Sequence, residues 1–317
     1  MSVDLDFESP VREIEKMVEK LKHLAEKEKG DYTEQIAKLE KRIVDQRKEV
    51  YSNLTPWQKV QVARHPKRPI LEDYIRMIFT DFTELHGDRR FSDDRALIGG
   101  FARLGKHDVM LIGHNKGKTI EDNLDRNFGS ARPEGYRKAL RLMKLAEKFN
   151  VPVVTMIDTS GAFPGKEAEE RGQAEAIARN LVEMAGLTVP IVCVVTGEGG
   201  SGGALGIGVG DAILMLSFSI YSVISPEGCA SILWRDGKYA PEAAEALKIT
   251  SDSLLELGVI DEIISEPDCA AHNAPERTAA EVKKVVEKQL DRLKRYSSSR
   301  LIHKRFEKFS KMGMFNK

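Results

Sequence analysis

The sequence predicts an α/β domain preceded by a helical extension. Residues 151–158 and 189–196 are short, almost wholly apolar runs, each leading into glycine-rich residues and then a helical pattern. Runs of that kind suit strands buried on both faces of a parallel sheet. The first 50 residues instead carry apolar positions at helical spacing among many charges. A chain of 317 residues, 41% of them hydrophobic, is long enough to bury a full core.

Taken in order, Val11, Ile14, Met17, Val18, Leu21, Leu24 and Ala25 form a stripe of period 3.6. Gly30-Asp31 interrupts it, and Ile36, Leu39, Ile43, Val44 and Val50 form a second stripe. Two helices joined by a short turn fit this pattern. Each stripe is narrow, so each helix must lie on the other, on the main domain or on a partner. Pro56, Pro66 and Pro69 cut the next stretch into short pieces, and His86-Gly87-Asp88-Arg89 reads as a turn. Strand-like runs at 96–100 and 109–113 flank Gly105. Pro133 suits the first turn of a helix over 133–149, with Tyr136, Ala139, Leu140, Met143 and Ala146 as its apolar face. A helix over 168–184 follows the strand at 151–158. The strand at 189–196 has Pro190 at its start, where a missing N–H is tolerated. Further strands are expected at 211–216 and 219–224, and helices at 226–233, 241–247 and 279–294. The expected division is a helical extension over 1–55, the α/β domain over 56–295 and a basic tail over 296–317.

Composition excludes several function classes. Lys+Arg and Asp+Glu each number 49, so the net charge is zero and the chain is no globally basic nucleic-acid binder. Its basic stretches, 106–141 and 292–317, mix acids with the lysines and arginines and lack stacking platforms, so nucleic acid is not expected as a partner. No apolar run approaches the roughly 18 residues of a membrane span. Residues 1–12 are acidic and lack the apolar region of a secretory signal. Cys193, Cys229 and Cys269 are odd in number and far apart, which suits neither a disulfide framework nor a zinc ribbon. A soluble, reduced, cytoplasmic protein with no membrane association is expected.

The most informative segment is 197–210, with glycine at 197, 199, 200, 202, 203, 206, 208 and 210. It could cradle a phosphate at a helix start, but it lacks the Gly-Lys-Ser/Thr ending of a P-loop and a regular Rossmann spacing. It could serve tight strand–helix packing alone. Or it could present backbone N–H groups to a developing oxyanion. Gly202-Gly203 before Ala204-Leu205 suits that third use, because backbone without Cβ can approach a ligand closely. Ser160-Gly161-Ala162-Phe163-Pro164-Gly165 is a second turn of similar design, and two such turns after neighbouring strands would line one cleft. Glu167, Glu169 and Glu170 at the next helix start suit its dipole or shape a ligand entrance. Gly199-Gly200-Ser201-Gly202-Gly203 matches the letters of a nucleophile elbow, yet the only downstream histidines, His272 and His303, lie in polar segments near the tail. His65, His86, His107 and His114 have no metal-ligand spacing. What remains is a site of backbone donors without an acid, base or nucleophile. It suits a reaction whose base comes from substrate or cofactor.

Four longer motifs are distinctive. They are Asn127-Phe128-Gly129 followed by the segment 133–143, Ala168-Glu169-Glu170-Arg171-Gly172-Gln173, the segment 197–205, and the segment 221–234 with Ser225-Pro226-Glu227-Gly228-Cys229 at its centre. Together they resemble the carboxyltransferase alpha subunits of bacterial multisubunit acetyl-CoA carboxylases, over nearly the whole chain. The resemblance implies a crotonase-like (ClpP/crotonase) fold of repeated ββα units with an N-terminal helical extension. It implies carboxyl transfer from carboxybiotin, carried on the biotin carboxyl carrier protein, to acetyl-CoA, giving malonyl-CoA for fatty acid synthesis. It also implies an α2β2 assembly with a carboxyltransferase beta subunit that carries the zinc ribbon, so no metal is expected in this chain. On that basis the backbone at Gly202, Gly203 and Ala204 is expected to hold the biotin ureido oxygen. Gly161, Ala162, Phe163, Gly199, Gly200 and Ser201 are expected to shape the biotin cleft. A different biotin-dependent acyl-CoA carboxyltransferase or decarboxylase is the alternative. Two departures stand out. Phe163 replaces a frequent tyrosine and so lacks its hydroxyl, and Glu266-Pro267-Asp268-Cys269-Ala270-Ala271-His272 replaces a smaller Leu-Gly-Gly-Ala-His ending.

Overall fold

The apolar runs at the centre of the chain become the inner strands of one eight-stranded sheet. The structure, a computed structural model, describes residues 5–28 and 30–313. The strands are β1 (Thr80–Glu84), β2 (Leu97–Leu104), β3 (His107–His114), β4 (Val153–Thr159), β5 (Ile191–Gly200), β6 (Ala212–Leu216), β7 (Ile220–Ser222) and β8 (Glu262–Ile264). Their order is β1-β2-β3-β4-β5-β6-β8, and β7 pairs with the far end of β5. β1, β2 and β3 pair antiparallel, and every pair from β3 to β8 is parallel. The helices are α1 (Ser9–Glu28), α2 (Thr33–Ser52), α3 (Pro56–Ala63), α4 (Leu71–Ile78), α5 (Ile120–Asp125), α6 (Pro133–Lys148) and α7 (Lys166–Glu170). After them come α8 (Gln173–Gly186), α9 (Ser201–Leu205), α10 (Pro226–Trp234), α11 (Ala240–Ala246), α12 (Ser251–Glu256), α13 (Pro275–Leu293) and α14 (Ser298–Ser310).

Alternation along the strands sends residues to two cores, one on each face of the sheet. Val153, Ile157, Ile191, Cys193 and Val195 pack with Tyr136, Leu142 and Met143 of α6 and Met184 of α8. Val154, Met156, Val192 and Val194 face the other way, onto Tyr74 and Ile78 of α4 and Val282, Val286 and Leu290 of α13. Burial on both faces is why these strands read as continuous apolar runs rather than as alternating ones.

Several elements differ from expectation. The helix expected over 168–184 is two, because Gly172 takes a left-handed conformation (φ +82°) that caps α8 and ends the run of α7. β5 does not stop at Thr196 but continues through Gly200, so the first four residues of the glycine segment are strand. The reason is close approach. A Cβ at Gly197 would lie 2.3 Å from Asp158 Oδ1, and one at Gly200 would lie 2.1 Å from the Ser160 carbonyl oxygen. The proline-cut stretch holds α3, opened by Thr55, whose side chain accepts from the Gln58 amide in a capping box with Pro56 at the first position. Asp268 (φ +54°) and Cys269 (φ +74°) hold left-handed backbone in the loop where bulkier residues were noted.

The first two helices pack on each other, with ion pairs Lys22–Glu40 and Arg47–Glu15 between them and Val11, Ile14 and Val18 buried. Leu5 and Tyr51 anchor the pair onto Val62 and Ala270. Tyr51 donates its hydroxyl to Glu8 and lies 3.3 Å from His272 Nε2, and His272 stacks on His65 at 3.9 Å between ring centroids.

The segment expected as a basic tail is helical over α14, and one of its cations is the largest fully buried side chain of the described residues. Arg305 donates to both oxygens of Asp211 (3.0 and 2.8 Å) and to the carbonyls of Met184, Leu187 and Val189. It thereby joins α14, the end of α8 and the start of β6. Arg305→Met would leave the Asp211 carboxylate buried and unpaired. The expected loss is about 3–5 kcal/mol in urea unfolding, and an unchanged midpoint would show that the pair contributes nothing.

Candidate active site at the glycine turns

β4 and β5 are parallel neighbours, and at their carboxyl ends Thr159 pairs with Gly199. The turn after β4 is held by Thr159, whose Oγ1 donates to the Gly161 carbonyl (2.8 Å) and accepts the Gly161 amide (3.1 Å). Gly161 sits at φ +153°, where glycine is favoured. The turn after β5 passes through Ser201 at φ +50°, unusual for a residue with a Cβ. A Cβ at Gly203 would fall 2.5 Å from both the Ala162 nitrogen and the Gly161 carbonyl carbon, so the two turns touch backbone to backbone. A Cβ at Gly202 would meet only Ile177, at 3.7 Å.

The amides of Ser201, Gly202 and Gly203 open α9, where a helix supplies no acceptor of its own. Ala204 stands one position deeper, where the Gly200 carbonyl is the acceptor that helix geometry provides. Carbonyl contacts fix the peptide planes that carry the Gly203 and Ala204 amides. The Gly202 carbonyl accepts the Gly206 amide at 2.9 Å, and the Gly203 carbonyl accepts the Tyr136 hydroxyl at 3.2 Å. Beside the turn lies a largely apolar cavity of about 270 Å³, lined by Ser201, Gly202, Leu205, Tyr221, Ser222 and Val223 among others. Gly161, Ala162, Gly199, Gly200, Ser201, Gly202, Gly203 and Ala204 are therefore gathered at one place. Phe163 is turned to other work: its amide donates to the Ala131 carbonyl at 3.0 Å, and its ring carries the Arg132 guanidinium at 4.8 Å.

Beneath the turns runs a charged ladder that sequence reasoning did not identify. Asp158, at the end of β4, accepts the Glu198 amide (2.9 Å) and Lys116 Nζ (2.7 Å) on one oxygen. Glu198 meets Arg64 at 2.7 Å and Lys116 at 3.5 Å, and Arg64 reaches on to Glu227. Burial alone would lower the Lys116 pKa, but the Asp158 and Glu198 carboxylates outweigh it and hold the ammonium charged. The available signal was a carboxylate at the end of an apolar strand and another between two glycines, since such residues are rarely buried unless paired.

No side chain completes a nucleophile here. His272 belongs to the Tyr51–Glu8 cluster, and His303 sits exposed on α14 beside Glu307, so Ser201 has neither as a base. Burial pushes the Cys193 thiol up to about 12, which suits an inert core residue. Among the described residues no group of three His, Cys, Asp or Glu side chains could hold a metal ion. The arrangement can bind and stabilise a developing negative oxygen through fixed amides.

His114, at the end of β3, is 1% exposed. Burial first, and then the Lys116 cation, push its pKa down to about 3. The fold therefore requires a neutral imidazole. The unfolded chain binds a proton below about 6.5, so this part of the stability is complete above that pH and is lost as pH falls towards 3. His114→Leu removes the dependence. Between pH 7 and pH 5 the wild type is expected to lose about 2 kcal/mol more than the variant in denaturant unfolding. Equal losses would contradict the burial of this histidine.

Comparison with known proteins identifies the family. The family described as acetyl co-enzyme A carboxylase carboxyltransferase-like matches residues 4–313. The acetyl-coenzyme A carboxylase carboxyl transferase subunit alpha of Chlorobium phaeovibrioides is 56% identical, over 99% of this chain and 98% of its own length. The subunit of the same name from a Geobacillus species is 54% identical, over 99% and 97%. Among solved structures, transcarboxylase 12S superposes with a TM-score of 0.57 at 19% identity, over 71% of this chain and 42% of that one. This chain thus spans less than half of the transcarboxylase chain. A Pseudomonas malonate decarboxylase hetero-tetramer gives 0.54 at 16% identity, over 64% of this chain and 82% of that one. These likenesses establish a crotonase-like fold. At 54–56% identity over essentially its full length, the chain belongs to the acetyl-CoA carboxylase carboxyltransferase alpha-subunit family.

Proposed function

We propose that this chain forms the carboxybiotin side of a carboxyltransferase that moves a carboxyl group from biotin, on its carrier protein, to acetyl-CoA, giving malonyl-CoA. The observation that carries this reading is the backbone contact between the two glycine turns at the start of α9, next to an apolar cavity lined by Ser201 and Gly202 and without an activated side-chain nucleophile. The residues present fit a biotin ring system: amides for its ureido oxygen, and an apolar wall of Leu205, Tyr221 and Val223 for its ring and chain. Carboxybiotin supplies the carboxyl group and, once that has been given up, the base. The amides of Gly202 and Gly203 then hold the negative oxygen that develops on the ureido group, whereas the Ala204 amide, expected from the sequence to join them, is taken by the Gly200 carbonyl. The Gly203 amide needs no reorganisation, because Gly206 already holds its peptide plane through the Gly202 carbonyl. The turn at Gly161 and Ala162 closes the cleft behind them, with Gly199, Gly200 and Ser201 as its floor.

The chain is half of a cleft in this reading. Val223, which lines the cavity, is 76% exposed, and Ile232 and Leu233 of α10 are 70% and 65% exposed. Apolar residues left open beside a site are a common mark of a partner surface. We assign that surface to the carboxyltransferase beta subunit in an α2β2 assembly, with the beta subunit bringing the zinc ribbon and most of the acetyl-CoA site.

The test is turnover of the chain reconstituted with its beta subunit, followed as biotin-dependent malonyl-CoA decarboxylation. Valine at 203 would not delete an amide; it would force the two turns apart. The informative contrast is therefore Gly203→Ala against Gly202→Ala. The first Cβ has no room and the second has, so Gly203→Ala is expected to cut turnover about 10²-fold, while Gly202→Ala stays within several-fold. Equal turnover in the two variants would overturn the assignment.

A further inference from the structure

A second cavity, of about 360 Å³, lies between α6, α8 and the turn after β1, and none of the glycine-turn residues line it. Its walls carry five arginines: Arg89, Arg90, Arg137, Arg141 and Arg179. Two of these are balanced. Arg137 donates to Asp88 at 2.8 Å, and Arg179 pairs with Glu183 at 2.9 Å. Asp88 has nothing more to offer, because its other oxygen already accepts the amides of Arg90, Phe91 and Ser92.

The remaining three arginines meet no carboxylate. Arg141 is held by the carbonyls of Gly87 (3.0 Å) and His86 (3.1 Å), and Arg89 by the His86 carbonyl (2.8 Å). Burial first, and then the Arg89 cation, lower the Arg141 pKa against the opposing pull of Asp93 and Asp88. Arg90 is exposed, and its side chain makes no hydrogen bond or ion pair among the described residues. Glu175 is the one lining carboxylate left to oppose them. Guanidiniums that line a concavity without ion-pair partners raise the positive potential there.

Asn180 ties the back of the cavity to the glycine turn. Asn180 is fully buried, and its amide group donates to the carbonyls of Tyr136 (3.0 Å) and Gly206 (2.8 Å). Its Oδ1 is closed off with the rest of the side chain and has no hydrogen-bond partner, so Asn180 backs the cavity without offering it an acceptor.

We propose that this cavity binds a small phosphorylated molecule, with Arg89, Arg90 and Arg141 taking the phosphate. The volume lies in the range of small-ligand sites, and several guanidinium forks suit a multiply charged tetrahedral anion better than a single carboxylate. The phosphate could belong to coenzyme A or to a separate metabolite. Either way the site is coupled to the glycine turn, because the Asn180 amide that grips Gly206 sits at the end of α9.

The test is titration calorimetry of inorganic pyrophosphate and of coenzyme A into the full chain assembled with its beta subunit. The wild type is compared with the double variant Arg89→Ala/Arg90→Ala. Both side chains are exposed, so an unchanged melting temperature without ligand serves as the folding control. Pyrophosphate is expected to bind saturably, one per chain, and about tenfold or more weakly to the variant. If coenzyme A displaces pyrophosphate and weakens in parallel, the phosphate is the substrate's own. If coenzyme A binding is unchanged, the ligand is a separate phosphorylated molecule. No saturable pyrophosphate binding to the wild type, or equal affinity in the variant, would overturn the proposal.

Discussion

The two turns that end β4 and β5 lie against each other with no side chain between them, and the candidate site depends on that contact. A Cβ at 200 would collide with the Ser160 carbonyl, and one at 203 with the backbone of Gly161 and Ala162. Glycine at these positions is a spatial requirement and not merely conformational freedom. The parallel pairing of β4 with β5 brings the turns to the same edge of the sheet. The Tyr136 hydroxyl, reaching up from α6 to the Gly203 carbonyl, then fixes how α9 leaves it.

The same region concentrates charge beneath the turns. Asp158, Glu198, Lys116, Arg64 and Glu227 form a continuous ladder under a site that itself has no charged side chain. Such a network costs desolvation, and removing one member would leave another buried and unpaired. Its geometric effect is clear: Asp158 grips the Glu198 amide, so the strand residue just before Gly199 cannot shift without breaking the ladder. A backbone oxyanion site needs donors that hold still, and the ladder helps supply that rigidity.

Much of this was legible in the residues. The apolar runs at 151–158 and 189–196 marked the two central strands because both faces of β4 and β5 are buried. The pairing of two glycine turns followed from their similar position after adjacent strands. What could not be read was long-range. Gly197 is a glycine because of Asp158, 39 residues earlier in the chain, and Arg305 looked like part of a solvated tail until its carboxylate partner, Asp211, was placed beside it. Breaks that depend on one dihedral angle, such as Gly172 between α7 and α8, were hidden inside an otherwise good helical pattern. Phe163 joined the expected cleft by proximity in sequence, yet its ring holds Arg132.

The central claim is that a backbone N–H, not a side chain, stabilises the reacting oxygen. Replacing Gly203 by glycolic acid exchanges that one amide for an ester while adding no atom to the crowded contact. In the assembled enzyme, turnover is expected to fall roughly 10²–10³-fold, the usual cost of deleting one such donor, with the melting temperature little changed. Full turnover with the ester in place would contradict the account.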